Sequence, residues 1–209
     1  MQKAAWLLIF ILPLWLLGCS HPAMQIQTFT PILDRPELKL IQLHNQDFIE
    51  LTRGDFRVTT GLYSYNNIIA LSIEIYNHSA TELGTAEYSI TLTDGRDHKV
   101  IHLMTRQDVI ATRAKLAGSK SAAIQDQIIQ TSIDTVMNTV NAPTKERMLA
   151  VIDLGIAQYF SFRPVFPHEQ RSGFLCFVPD FQLEYPLIVK VAIRENTYQF
   201  KYSRSENND

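Results

Sequence analysis

Cysteine is nearly absent from this chain: Cys19 and Cys176 are the only two in 209 residues. A single pair permits at most one intrachain bridge, which excludes the multi-disulfide scaffolds of small secreted domains. Glycine is sparse as well, with eight residues that each stand alone. No run of them could cradle a phosphate, so a glycine-rich nucleotide loop is excluded. Two arrangements that would announce hydrolytic or zinc chemistry are also missing, Gly-x-Ser-x-Gly and His-Glu-x-x-His. Charge of either sign shows no excess: 19 basic side chains face 21 acidic ones, for a formal net charge of −2. Nucleic-acid binding would need a concentrated basic face, so no nucleic-acid partner is expected. The six histidines are dispersed. The nearest pair, His98 and His102, flanks β-branched residues, and on a strand they would lie about 13 Å apart, too far to share a metal ion. The expectation is a protein without metal, cofactor or catalytic residues.

What is present is concentrated apolar character at one end. After Lys3, an apolar run extends without a break from Ala4 to Leu17 and is followed by Gly18 and Cys19. As a helix the run reaches about 21 Å, short of the ~30 Å hydrocarbon core of a bilayer. Pro13 disfavours a straight permanent helix, and Ser20, His21 and Pro22 supply no basic stop-transfer cluster. Length and flanks suit the h-region of a secretory signal. Leu16-Leu17-Gly18-Cys19 resembles the lipobox of bacterial lipoprotein precursors. That resemblance implies cleavage before Cys19, a diacylglyceryl thioether on its sulfur and a third acyl chain on the new amino terminus. One acyl chain binds a membrane marginally, whereas two or three hold it stably. Ser20 stands where an aspartate is linked to inner-membrane retention, so the resemblance places the protein in the cell envelope, at the outer membrane if the source is Gram-negative. With Cys19 committed to lipid, Cys176 is left without a partner inside an apolar run and reads as a buried, inert thiol.

Beyond Cys19 the chain has three textures. Residues 20–34 are polar, carry Pro22 and Pro31, and show neither helical nor strand period; they read as a tether. Residues 38–104 carry strand signals. In 67–76, Ile69, Leu71, Ile73 and Ile75 fall on one face, with Ser72 and Glu74 on the other. Asn77 to Ala80 reads as the turn after them. Residues 55–62 and 86–93 alternate in the same way, and Asp94-Gly95 predicts a hairpin with 98–103 as its return strand. From Thr105 to Phe160 the period becomes helical. Helices are expected over 106–117, 119–140 and 144–154; the second carries Ile124, Ile128, Ile129, Ile133, Val136 and Val140 at three- and four-residue steps. Strands return over 173–178, 187–193 and 198–202, with a turn at Asn196-Thr197.

The division that follows is a signal peptide at 1–18, a lipidated tether at 19–34, a β-sandwich body at 35–203 with a helical insert at 105–160, and a disordered tail at 204–209. The fold class is mostly β with an α insertion: an antiparallel β-sandwich with two to three helices between strands. Residues 47–203 resemble the immunoglobulin-like domains of bacterial envelope lipoproteins, through the turn, glycine and apolar strand at 171–177 and the final hairpin. The body departs from antibody-type domains by lacking the inter-sheet cysteine pair.

One stretch stands out for recognition. Tyr159, Phe160, Phe162, Phe166 and Phe174 gather around Arg163 and Arg171 between the last helix and the next strand. Loops rich in aromatics and arginine are favoured at interaction surfaces. Tyr159, Phe160, Phe162, Arg163, Phe166 and Arg171 are therefore the candidate interaction residues, against the alternative of a hydrophobic closure over one end of the sandwich. The expected function is a non-catalytic interaction or assembly module, bound to the membrane through lipid on Cys19 and to an envelope protein partner. A carrier of an apolar envelope ligand and an enzyme acting on cell wall or lipid are the alternatives.

Overall fold

The computed structural model describes residues 26–43, 46–65, 67–117 and 144–204. These form ten strands and two helices: β1 Ile26–Ile32, β2 Lys39–Leu43, β3 Gln46–Arg53, β4 Phe56–Tyr65, β5 Ile68–Asn77, β6 Tyr88–Thr93, β7 His102–Leu103, α1 Arg106–Ala117, α2 Thr144–Ala157, β8 Gln170–Val178, β9 Leu187–Ile193 and β10 Asn196–Arg204. The expected helix over 119–140 lies outside the described residues, as do the leader and Cys19.

All strand pairs are antiparallel and fall into two sheets. The first runs β2-β3-β4-β5-β8-β7, and the second runs β6-β9-β10-β1. β1 belongs to both. Its residues 26–28 pair with Tyr65, Ser64 and Tyr63 of β4, and its residues 29–32 pair with β10, from Arg204 opposite Phe29 to Lys201 opposite Ile32. A strand that passes from one sheet to the other makes a corner and joins the layers covalently. The fold is thus a β-sandwich with helices inserted between β7 and β8, as the sequence predicts.

The alternation of β5 explains the core. Ile69, Leu71, Ile73 and Ile75 are all buried, and they meet Val189, Val191, Phe200 and Tyr202 of the second sheet in one cluster. Each fully buried side chain of this size contributes about 1.5–3 kcal/mol. Two polar contacts register the layers. The Tyr202 hydroxyl lies 2.8 Å from Thr60 Oγ1, and Tyr198 Oη donates to the Arg53 carbonyl at 2.5 Å. Burial pushes the Tyr198 phenol up to about 12 and the Tyr202 phenol higher still, so both stay protonated and neutral.

On the outer face of the first sheet, α1 and α2 pack together over one end. Val109, Ile110, Ile152 and Ile156 surround Cys176 and Met104, with Ile68 and Val178 at the margin. Arg113 clamps Asp153 through two bonds of 2.8 and 3.0 Å. Side chains there are 12% and 13% exposed, which favours this bidentate pair over a surface one. Cys176 is 4% exposed, and burial alone pushes its thiol up to about 11. Relative to its ordinary value of 9.0 that removes roughly a hundredfold of the reactive thiolate at pH 8. Native Cys176 should therefore alkylate with iodoacetamide at least a hundredfold more slowly than in urea, read by peptide mass mapping; equal rates would show that the helix pair does not seal it.

The structure corrects three expectations. Residues 26–32 are not tether but strand β1. Pro31 obscured it, yet Pro31 sits where β1 has a partner on one side only, the setting in which a strand accommodates a residue without an N–H. The predicted hairpin between 86–93 and 98–103 forms only at its turn and does not extend into a strand pair: β6 pairs with β9 in the second sheet, and β7 pairs with β8 in the first. At that turn the Thr93–Val100 bridge, the Asp94 N–H to Lys99 carbonyl bond of 3.1 Å and the Ile101 N–H to Leu92 carbonyl bond of 2.8 Å tie the two arms. Beyond these the chain crosses between layers because Ile101 is buried in the inter-sheet core and Met104 in the helix cluster. Finally, Arg204 is not tail; it closes β10 opposite Phe29.

Candidate interaction site

The aromatic segment leaves α2 at Ala157 and runs along the free edge of β8. The Phe160 N–H donates to the Phe174 carbonyl at 2.9 Å, and the Phe174 N–H donates to the Gln158 carbonyl at 2.8 Å. Tyr159 forms a parallel bridge with Phe174. These bonds cover a sheet edge that would otherwise invite pairing with another chain. The backbones approach this closely because position 173 has no side chain: a Cβ there would lie 2.6 Å from the Gln158 carbonyl oxygen. The glycine is required by space.

The candidate residues then separate. Phe160 turns inward and is fully buried against Tyr88, ring centroids 6.3 Å apart and nearly perpendicular. It is a core residue, which corrects its assignment as a contact. Tyr159 is half-buried and packs against both apolar clusters, its hydroxyl donating to the Met104 carbonyl at 2.8 Å. Burial raises its phenol above the ordinary value, so it stays a donor. Arg171 is also structural: its Nη2 donates to the Pro164 carbonyl at 3.1 Å.

Three candidates do face solvent. Phe162 is 38% exposed; it stacks on Tyr88 at 5.7 Å and meets the Phe160 ring edge-on at 5.5 Å. Phe166 is 49% exposed. The Arg163 side chain is exposed while its carbonyl accepts from the Tyr88 hydroxyl at 2.8 Å. Exposed rings on a pinned backbone lose little entropy when covered, which is what an anchor residue needs.

What pins the backbone is Asn77, a residue the sequence marked only as the start of a turn. It is fully buried. Its Nδ2 donates to the Thr81 carbonyl at 2.8 Å and to the Val165 carbonyl at 3.0 Å. Its Oδ1 accepts from the Ser79 N–H at 2.9 Å and the Ser79 hydroxyl at 2.6 Å. Val165 and Leu83 also exchange backbone bonds of 3.0 Å in both directions. Asparagine after a strand is a signal for such an Asx turn, but its reach to position 165 is visible only in three dimensions.

Among the described residues, no group of three or more His, Cys, Asp and Glu side chains is placed to hold a metal ion. Also among them, no helix is long and apolar enough to cross a membrane. No family model, no curated protein and no solved structure matches this chain.

Proposed function

We propose that this protein is a lipid-anchored component of the bacterial cell envelope that acts as a non-catalytic interaction module. The observation that carries this reading is Leu16-Leu17-Gly18-Cys19 directly behind the apolar run 4–17. The sequence supports a fatty thioether on Cys19, and the folded body supports presentation of a rigid surface beyond it. Arg163 and Phe166 combine exposure with hydrogen-bonded backbone carbonyls, Phe162 combines it with ring packing on Tyr88 and Phe160, and aromatics and arginine dominate binding energy at protein interfaces.

Cys19→Ser tests the anchor. The variant should incorporate no labelled palmitate, keep its leader and run as the longer precursor on a gel. Label persisting in the variant would refute lipidation at this sulfur. A photo-crosslinking residue tests the surface. Placed at Phe166 in intact cells it should give an adduct of discrete mass, and placed at the exposed Lys190 on the outer face of β9 it should not. No adduct from position 166, or the same adduct from both, would count against the loop as the contact.

A further inference from the structure

We propose that the sandwich stands on the bilayer by one defined end: the β4–β5 turn and the α1–α2 pair face the lipid, and the Phe162–Phe166 loop faces away. The inference rests on the anchor at Cys19. Between Cys19 and Ile26 the chain has seven Cα–Cα steps, which span at most about 25 Å fully extended. Ile26 is fixed in the fold, since it pairs with Tyr65 at the end of β4. The tether therefore grips the first sheet at one end of its strands.

Strand register defines which groups share that end. Tyr65 is opposite Ile68, Ile69 is opposite Phe177, and Val178 is opposite His102. The helix pair packs over the same end, on Ile68, Cys176 and Val178. At the other end Phe56 is opposite Asn77, Tyr76 is opposite Gln170, and Ile193 is opposite both Tyr88 and Asn196. The exposed Phe162 rides on that Tyr88, and Val165 is bound to that Asn77. The ten residues of β5 separate the two ends by about 30 Å.

An inverted placement would lift Ile26 about 30 Å off the surface, beyond what the ~25 Å tether spans. A placement on either flank would lay Arg57 with its partners Glu50 and Glu74, or Lys190 and Gln199, along the interface. The end carries exposed charge as well, at Arg106, Asp108 and Lys115 of α1, so it is singled out by where the tether enters the fold and not by composition. Upright placement keeps both flanks wet and holds the loop aromatics roughly one strand length from the lipid.

Nitroxide labels at Asn67 and at Glu195 mark the two ends on exposed turns. The lipidated full-length protein is placed in phosphatidylethanolamine–phosphatidylglycerol vesicles carrying nickel-chelating headgroups. Relaxation of the Asn67 label should exceed that of the Glu195 label several-fold. Insertion of about twenty Gly/Ser residues between Pro22 and Ile26 should level the two, because the longer tether reaches on the order of 30 Å as a coil. Equal relaxation in the parent protein, or a contrast that survives the insertion, overturns the orientation while leaving the anchor intact. Mass spectrometry showing Cys19 bare would overturn the anchor and the orientation with it.

Discussion

Gly173→Ala is expected to lower folding stability by about 3 kcal/mol, a large effect for one methyl group. The added carbon would lie 2.6 Å from the Gln158 carbonyl oxygen, 2.7 Å from Phe160 Cα and 2.8 Å from Phe160 N. All three are backbone atoms, so no side-chain rotation relieves them. Moving the segment away lengthens the two bonds it makes to Phe174, each contributing about 1 kcal/mol, and withdraws Phe160 from the core. Overpacking of a fixed neighbour adds about 1–3 kcal/mol. Urea denaturation should show the lowered midpoint with an unchanged slope, and the melting temperature should fall by roughly 10 °C. A loss below about 1 kcal/mol would mean that the edge strand yields easily, and the closure of β8 would not be the rigid feature described above.

Asn77→Ala follows at about 3 kcal/mol. Alanine leaves the buried Ser79 N–H without its acceptor and removes one donor each from the Val165 and Thr81 carbonyls. An orphaned buried group is worth about 1–3 kcal/mol, and the remaining losses are smaller because Leu83 N–H still serves Val165 and the Ser79 hydroxyl, released from Asn77 Oδ1, turns its one hydrogen to the Thr81 carbonyl. Asn77→Asp separates hydrogen bonding from shape. It preserves the size and the acceptor toward Ser79, but sets a carboxylate oxygen against the two carbonyls that Nδ2 served. It should be no more stable than the alanine variant. Amide exchange at Leu83 and Val165 should accelerate in both. Exchange at the parental rate would show that Asn77 does not hold the loop that bears Phe162 and Phe166.

The strands with one wet face were legible from sequence because alternation and burial coincide, as in β5, where all five inward positions are buried and all five outward ones are partly exposed. Where pairing depends on distant residues, local signals misled. Asp94-Gly95 is a good turn signal, and Asp94 does accept from the Lys99 N–H at 2.8 Å. The fate of the chain beyond it was decided instead by Ile101 and Met104, which enter different clusters. The last hairpin turns at Arg194, not at Asn196-Thr197. Arg194 has a φ of +51°. Its N–H donates to the Glu87 carbonyl at 2.7 Å, and its guanidinium bonds Glu87 and lies over Phe56. No residue near it in sequence foretells that. At the candidate site the density of aromatics was readable, but their division was not. Phe160 is inside and Phe162 outside because Gly173 admits the backbone and Tyr88 supplies a ring for each to pack on.

The double membership of β1 has a mechanical side. A pull on its amino-terminal end acts along the strand, at right angles to the hydrogen bonds that hold it to β4 and then to β10. Such a load shears several rungs at once and does not peel them singly. It is also shared between the two layers, so strain arriving from that terminus is spread through the whole sandwich before any one sheet gives way.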